Sequence, residues 1–200
     1  MDAKDLFLLQ HAHLHTSSVS GEHGPSLEDS LCDGLTPEQM RERPDGLNSI
    51  VWLLWHMTRF EDVVVNTVLR GKPEVLDGAW LARLGIDTRL IGTGSTDDEV
   101  ADFSTKVDPQ LVREYRAAVG LRTRRWAERE ADWAALASVP DVAARLAAAP
   151  TALDDRAEWV RALWSRRTGL GLLSLPVIGH SYIHIGEARV TRARLGGRVP

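Results

Sequence analysis

The chain has 200 residues with a formal net charge of −4, and apolar residues make up 44% of it and charged residues 26%. This composition excludes a disordered chain, and the slight acidic excess, with no basic stripe interleaved with aromatics, argues against nucleic-acid binding. No apolar stretch approaches the roughly 18 residues of a membrane span, since charged residues interrupt even the most apolar segment.

The N-terminal half predicts two long helices. The first covers Ala3–Val19 and is ended by the Gly- and Pro-containing segment 20–25. Thr36 then caps a short helical turn with proline in its first position. The second long helix covers Ser49–Leu69, with Asn48 as its N-cap, and a Gly and a Pro follow it.

The C-terminal half predicts two more long helices, over Pro109–Leu136 and from about Ser174 to Gly197. The segment Leu76–Val107 contains four glycines and is predicted to be a loop, in which Trp80 is a candidate pocket wall. The segment Ser138–Gly171 is predicted to hold one or two shorter helices.

The fold class follows from these elements. Strand signals are almost absent, because no segment alternates apolar and polar residues over a useful length. Four main helices pack most simply as a bundle, although the long connections permit crossovers. We therefore predict an all-α four-helix bundle with long loops and short extra helices, forming a single domain over residues 1–200.

Three histidines on the second and fourth helices form the candidate metal site. His180 and His184 are four residues apart, so they project from one helix face, and Glu187 lies on that face too. His56 is centred on the apolar arc of the second helix. A buried unpaired polar group costs about 1–3 kcal/mol, so this histidine needs a partner. We predict that His56, His180 and His184 bind one divalent metal ion.

Simpler interpretations of the same residues stay open. A histidine pair at this spacing is common on helices, and a core histidine is usually satisfied by a carbonyl or a carboxylate. Glu187 either supports a histidine ring through its second nitrogen, pairs with an arginine, or is a weak candidate for a catalytic group. Ile183 and Val190 are predicted to flank the histidines in the core, and Arg192 to face solvent.

Two further features compete for a functional role. His11 and His15 repeat the four-residue spacing with His13 between them, and they are either ligands or a polar helix edge. Cys32 is the only cysteine, which excludes an intramolecular disulfide, and it is more often incidental than catalytic in such a setting. The N-terminal residues lack the pattern of a signal peptide, so we expect a cytoplasmic protein that contacts no membrane.

Two blocks of sequence stand out beside the histidines. The first is Leu-Thr-Pro-Glu-Gln-Met at 35–40, Arg-Pro at 43–44 and Asn-Ser-Ile-Val-Trp-Leu-Leu-Trp-His-Met at 48–57 with Glu61-Asp62 after it. The second is His-Ser-Tyr-Ile-His-Ile-Gly-Glu at 180–187 with Arg-Leu-Gly at 194–196. Together they resemble the DinB/YfiT-like family of metal-dependent enzymes, in order and spacing, over nearly the whole chain.

The resemblance implies a fold, a metal and a chemistry. Family members are four-helix bundles, often homodimers, whose three-histidine site holds zinc, nickel or a related ion, and the three histidines map onto His56, His180 and His184. Tyr182 and Ile185, which point away from that site, suit either a dimer interface or partial exposure.

Three functions follow for a small-molecule substrate. The leading one is a transferase that uses a low-molecular-weight thiol such as mycothiol, with arginines orienting the thiol. The second is a hydrolase that uses metal-bound hydroxide. The third is a non-enzymatic helical stress-response or binding module.

Overall fold

The computed structural model describes residues 1–21, 26–149 and 152–196. These ranges contain helices and connecting segments but no strand, so the prediction of an all-α fold is confirmed. The α-helices are, in chain order, Ala3–Leu14 (α1), Ser17–Ser20 (α2), Leu27–Cys32 (α3), Pro37–Arg41 (α4), Ile50–Asp62 (α5), Gly78–Leu84 (α6), Asp97–Lys106 (α7), Pro109–Arg129 (α8), Val142–Ala147 (α9), Glu158–Trp164 (α10), Gly169–Leu172 (α11) and His180–Arg194 (α12).

Two of the long helices contain a π-helical run. Val63–Leu69 extends α5, and Leu173–Gly179 joins α11 to α12, so the chain is helical without interruption from Gly169 to Arg194. Pro176 lies inside the second run. Proline lacks the N–H that an α-helix needs at this point, and a local change of helical pitch accommodates that loss.

Helix α5 is the centre of the fold. All 13 of its residues are buried, because α8 packs on one side of it, α12 on another, and α4 and α7 cover the rest. The long helix α1 contacts α8 and the π-helical run before α12, which completes the enclosure of the core. Because this helix is buried on every side, its polar residues must find their partners inside the protein.

Several predicted helix ends are wrong by a few residues. The first helix stops at Leu14 because His15 takes an extended backbone, and α2 follows. The N-cap of α5 is Ser49, whose hydroxyl accepts a hydrogen bond from the Trp52 N–H, and not Asn48. Helix α8 ends at Arg129. Part of the predicted break at 20–25, and the predicted end at Gly197, lie outside the described residues.

The predicted glycine-rich loop at 76–107 is wrong, since it contains α6 and α7. Asp77 caps α6 by accepting a hydrogen bond from the Trp80 N–H. Thr96 and Glu99 form a capping box at the start of α7. The glycines end or separate these helices and do not unfold them. The short helices expected within 138–171 are confirmed by α9 and α10.

The two faces of α12 differ from the prediction. Ile183 is 65% exposed and Val190 is 52% exposed, so neither belongs to the core. Arg192 is buried, and its guanidinium donates hydrogen bonds to the carbonyls of Ser30 and Leu31. Ile185 is buried too, which removes it from any dimer interface, and the homodimer stays a prediction. Among the described residues no helix has the length and apolarity needed to cross a bilayer.

Candidate metal centre

His56, His180 and His184 meet where α5 packs against α12. The centroids of the His56 ring and of each other ring are 4.9 Å apart, and those of His180 and His184 are 4.4 Å apart. One ring nitrogen from each residue lies within 4.8 Å of one nitrogen from each of the others. The structure therefore brings together the three side chains that the sequence singles out.

Hydrogen bonds on the far side of two rings fix which nitrogen faces the centre. Nδ1 of His56 lies 2.5 Å from the carbonyl oxygen of Ile91, and Nδ1 of His184 lies 2.7 Å from Oε2 of Glu187. Both partners only accept, so each Nδ1 carries the proton and each Nε2 keeps a lone pair. In both rings the free lone pair is therefore on Nε2, the nitrogen that can bind a metal ion between the three histidines.

The contact between His56 and Ile91 depends on the residue that follows in the loop. Gly92 has φ +86°, a conformation that side chains other than hydrogen rarely allow. A methyl group on Gly92 would lie 2.8 Å from the Trp55 ring and 3.0 Å from Nδ1 of His56. Glycine therefore lets the 91–92 backbone lie directly against the histidine.

Glu187 is held from two sides. Its Oε1 accepts a hydrogen bond of 2.8 Å from the side-chain amide of Asn48, while its Oε2 serves His184. These hydrogen bonds, the one from His184 first, hold the pKa of Glu187 below its usual value. The carboxylate supports a histidine ring, as one of the sequence interpretations has it. The sequence does not indicate the roles of Asn48 and Ile91, since nothing in its pattern marks a backbone carbonyl or a distant side-chain amide.

Burial keeps two of the imidazoles neutral. It is the main cause that lowers the pKa of His56 to about 3 and that of His180 to about 2, and the neighbouring histidines add to the effect. Neutral imidazole is the form that binds metal ions, so no proton has to be displaced from these rings at neutral pH.

The spacing of the nitrogens fits a divalent ion. Nε2 of His180 and Nε2 of His184 are 3.1 Å apart. Two nitrogens bound to a tetrahedral zinc ion at about 2.0–2.1 Å lie about 3.3 Å from each other. Three histidines complete only part of a coordination sphere, and the remaining positions would face the adjacent cleft.

A cleft of about 520 Å³ opens beside the three rings. Its floor is aromatic, because Trp52 stacks on His56 at 4.8 Å and Phe60 stacks on His180 at 3.8 Å between ring centroids. Trp159 at its edge is 60% exposed. Among the described residues that line this cleft none is Lys or Arg. We call it the histidine cleft.

A second cleft of about 520 Å³ adjoins the first and shares Trp52, Gly92 and Ser95 with it. Its lining is more polar and includes Lys106 and Arg156, each in an ion pair with a carboxylate. We call it the polar cleft. Trp80, the expected pocket wall, is not among the residues that line either cleft. It packs against Tyr115 and under Arg83 instead.

The other histidines that the structure describes, His11, His13 and His15, are divided between core and surface. His11 and His15 are buried and both contact Glu61, so the interpretation as a polar helix edge is wrong for them. It holds for His13, which is exposed and lies 3.1 Å from the Tyr182 hydroxyl. Cys32 is buried, and burial raises the pKa of its thiol to about 12, which disfavours a nucleophilic role.

Comparison with known proteins identifies one family. A family model described as the DinB superfamily matches residues 24–188, which includes all three histidines of the centre and Glu187. No curated protein matches the chain.

Proposed function

Because this chain belongs to the DinB superfamily, we propose that it is a metal-dependent enzyme that transfers a low-molecular-weight thiol to an apolar electrophile. The observation that carries this proposal is the convergence of His56, His180 and His184 at the floor of an open cleft. A divalent ion there, zinc first and nickel second by its ligand type, would stabilise the sulfur of the thiol as a thiolate at neutral pH.

The protein's own groups prepare that site before any substrate arrives. The Ile91 carbonyl and the Glu187 carboxylate fix the His56 and His184 rings with Nε2 free. Asn48 fixes Glu187 in turn. Preorganised ligands bind an ion without reordering side chains, and hydrogen-bonded carboxylates raise the basicity of the imidazoles that they hold.

The lining of the histidine cleft indicates the electrophile. Trp159, Leu163 and Ile183 are exposed at its edge, at 60%, 36% and 65%. Exposed apolar side chains that surround a concave site favour an uncharged apolar ligand, and flat rings suit the aromatic floor. Without Lys or Arg in the lining, an anionic substrate would gain no ion pair there.

The polar cleft is the proposed place for the body of the thiol. Arg156 is bonded there to Glu99 and Asp154, so its charge is already balanced. Balanced ion pairs bind hydroxyl groups by hydrogen bonds but offer little to a second anion. A hydroxyl-rich thiol such as mycothiol therefore suits this cleft, and Arg156 is the arginine that would orient it.

The proposed reaction is a substitution at carbon. The thiolate sulfur forms a bond to the electrophilic carbon, the leaving group departs with its electron pair, and the thiol proton passes to solvent. With a chlorinated aromatic the products are a thioether and chloride. Such a reaction needs no general base within the protein once the sulfur is a thiolate, which agrees with Glu187 being occupied by His184 and Asn48.

The test combines metal content with turnover. Purified wild type, His56→Ala, His184→Ala and His13→Ala are analysed for metal and assayed with mycothiol and 1-chloro-2,4-dinitrobenzene. We expect the first two variants to lose the ion and the activity, and the exposed-histidine control His13→Ala to keep both. Equal metal content in all four proteins would contradict the metal site.

The alternatives are separated by the same preparation. Turnover of an ester or amide without thiol would establish the hydrolase instead. Bound metal with no turnover of either substrate class, and no exchange with added ions, would favour the non-enzymatic module.

A further inference from the structure

His11, His15 and Glu61 form a second cluster on the other side of α5 from the metal centre. His11 lies near the end of α1, His15 directly follows that helix, and Glu61 belongs to the last turn of α5. All three are buried, at 0%, 1% and 1% exposure. One potential ligand atom from each lies within 4.8 Å of the others.

Both imidazoles direct the same nitrogen toward the carboxylate. Nε2 of His11 is 3.0 Å from Oε1 of Glu61, and Nε2 of His15 is 2.7 Å from Oε2. The rings are stacked with centroids 4.2 Å apart. Nδ1 of each ring is buried without a hydrogen-bond partner among the described residues, so the hydrogen bonds that orient the two rings are those with Glu61.

Glu61 faces two imidazoles, which balance its charge only when one of them is protonated. Among the described residues no Lys or Arg forms an ion pair with it, and the neighbouring Arg116 is bonded to Glu28. A buried carboxylate needs a cation beside it, and a coordinated metal ion meets that need without a protonated imidazole. A metal ion at the centre of this cluster would supply the positive charge that balances the Glu61 carboxylate.

We propose that His11, His15 and Glu61 bind a second divalent transition-metal ion, which ties the end of α1 to α5. Two imidazole nitrogens and a carboxylate suit zinc or ferrous iron. The site has no opening to solvent, so its ion is structural and enters while the chain folds. It differs in this respect from the ion of the histidine cleft, and it does not depend on the proposed function.

Metal stoichiometry tests the proposal. The protein is produced in zinc-supplemented medium, and zinc and iron per chain are measured by mass spectrometry. We expect two ions in wild type and in the exposed-histidine control His13→Ala, and one each in Glu61→Gln and in His184→Ala. Glu61→Gln keeps the size of the side chain and one acceptor oxygen but loses the charge. Equal metal content in wild type and Glu61→Gln would overturn the proposal.

Crystals of the wild type give a test that does not depend on a variant that folds. Anomalous diffraction above the zinc and iron absorption edges locates each ion directly. A peak between His11, His15 and Glu61 supports the site, and its absence from metal-supplemented protein shows instead a cluster held by hydrogen bonds alone. The His184→Ala count separates the two sites, because it reports the buried ion even if the cleft binds none.

Discussion

Glu187 and His184 are joined by a hydrogen bond of 2.7 Å between Oε2 and Nδ1, one helical turn apart on α12. The carboxylate is held in turn by Asn48 from the segment that precedes α5. This pair therefore couples the orientation of a candidate ligand to the packing of two helices. A conservative substitution in the pair should change the metal affinity of the site.

Glu187→Gln should weaken zinc binding by about 10- to 100-fold while the site still fills at high zinc, because the amide lacks the charge that makes His184 more basic. Competitive titration with a chromophoric chelator measures the affinity. The matched control is Glu128→Gln, which removes a carboxylate paired with Arg124 on α8 and should leave the affinity unchanged. Equal affinities for the two variants would contradict the supporting role.

Lowering the pH should destabilise the metal-free protein already at pH values well above the usual pKa range of carboxylates. Burial lowers the pKa of His15 and His56 to about 3 and that of His180 to about 2, from 6.5. Between these values the unfolded chain binds protons that the folded chain does not, so the free energy of unfolding falls as the pH drops below about 6.5. Each such histidine contributes up to about 1.4 kcal/mol per pH unit.

Urea unfolding of chelator-treated protein at pH 7, 6 and 5 measures this slope. His13→Ala is the control variant, because it removes an exposed side chain and leaves the three buried rings in place. A free energy of unfolding that stays constant from pH 7 to 5 would mean that these rings are not buried as neutral groups.

Two glycine-to-alanine changes should act in opposite directions. In Gly120→Ala the new methyl group would lie 2.7 Å from Nδ1 of His15, whose ring is held by Glu61 and stacked on His11. That overlap should outweigh the roughly 1 kcal/mol that alanine gains in a helix and give a net loss of about 1–3 kcal/mol.

Gly186→Ala is the matched control within α12, where a methyl group meets nothing within 4 Å. It should stabilise the protein by about 0.5–1 kcal/mol. Thermal and urea unfolding of both variants test the pair, and stabilisation by both would show that His15 can move away from α8.

Leu163→Ala should raise the KM for a chlorinated aromatic several-fold with little change in kcat, because it removes apolar surface at the edge of the histidine cleft and no reacting group. Leu121→Ala is the control. Leu121 is a leucine of α8 with 47% exposure, it does not line the histidine cleft, and its loss should leave both constants unchanged. Unchanged values of both kcat and KM for Leu163→Ala would place the substrate elsewhere.

The sequence predicts the centre of the fold better than its edges. Helix α5 and the histidine pair of α12 have strong local signals in the sequence, namely a long apolar run and a four-residue spacing, and the structure agrees with both. The sequence pattern does not predict the two helices within 76–107. Their capping residues, Asp77 and Thr96, lie among glycines, and the glycine content of the segment favours a loop.

Partners that are distant in sequence could not be predicted in the same way. Glu61 lies inside an apolar helix and offers no local sign that His11 and His15 will reach it, 50 and 46 residues away. Helical position alone places Arg192 at the solvent, yet its guanidinium donates hydrogen bonds to the carbonyls of Ser30 and Leu31 in the last turn of α3 and is buried. Whether a polar side chain is buried depends on the groups that face it in the fold, and the periodicity of the sequence contains no information about those groups.

The π-helical run at Leu173–Gly179 sets the rotational phase between two halves of one continuous helix. Such a run amounts to a residue inserted into an α-helix, and each residue turns the helix by about 100°. Apolar side chains upstream of it and His180 downstream can therefore both face the interior, although no single helical wheel aligns them. Deleting one residue from this run would swing the imidazoles away from α5 although none of the three histidines is changed.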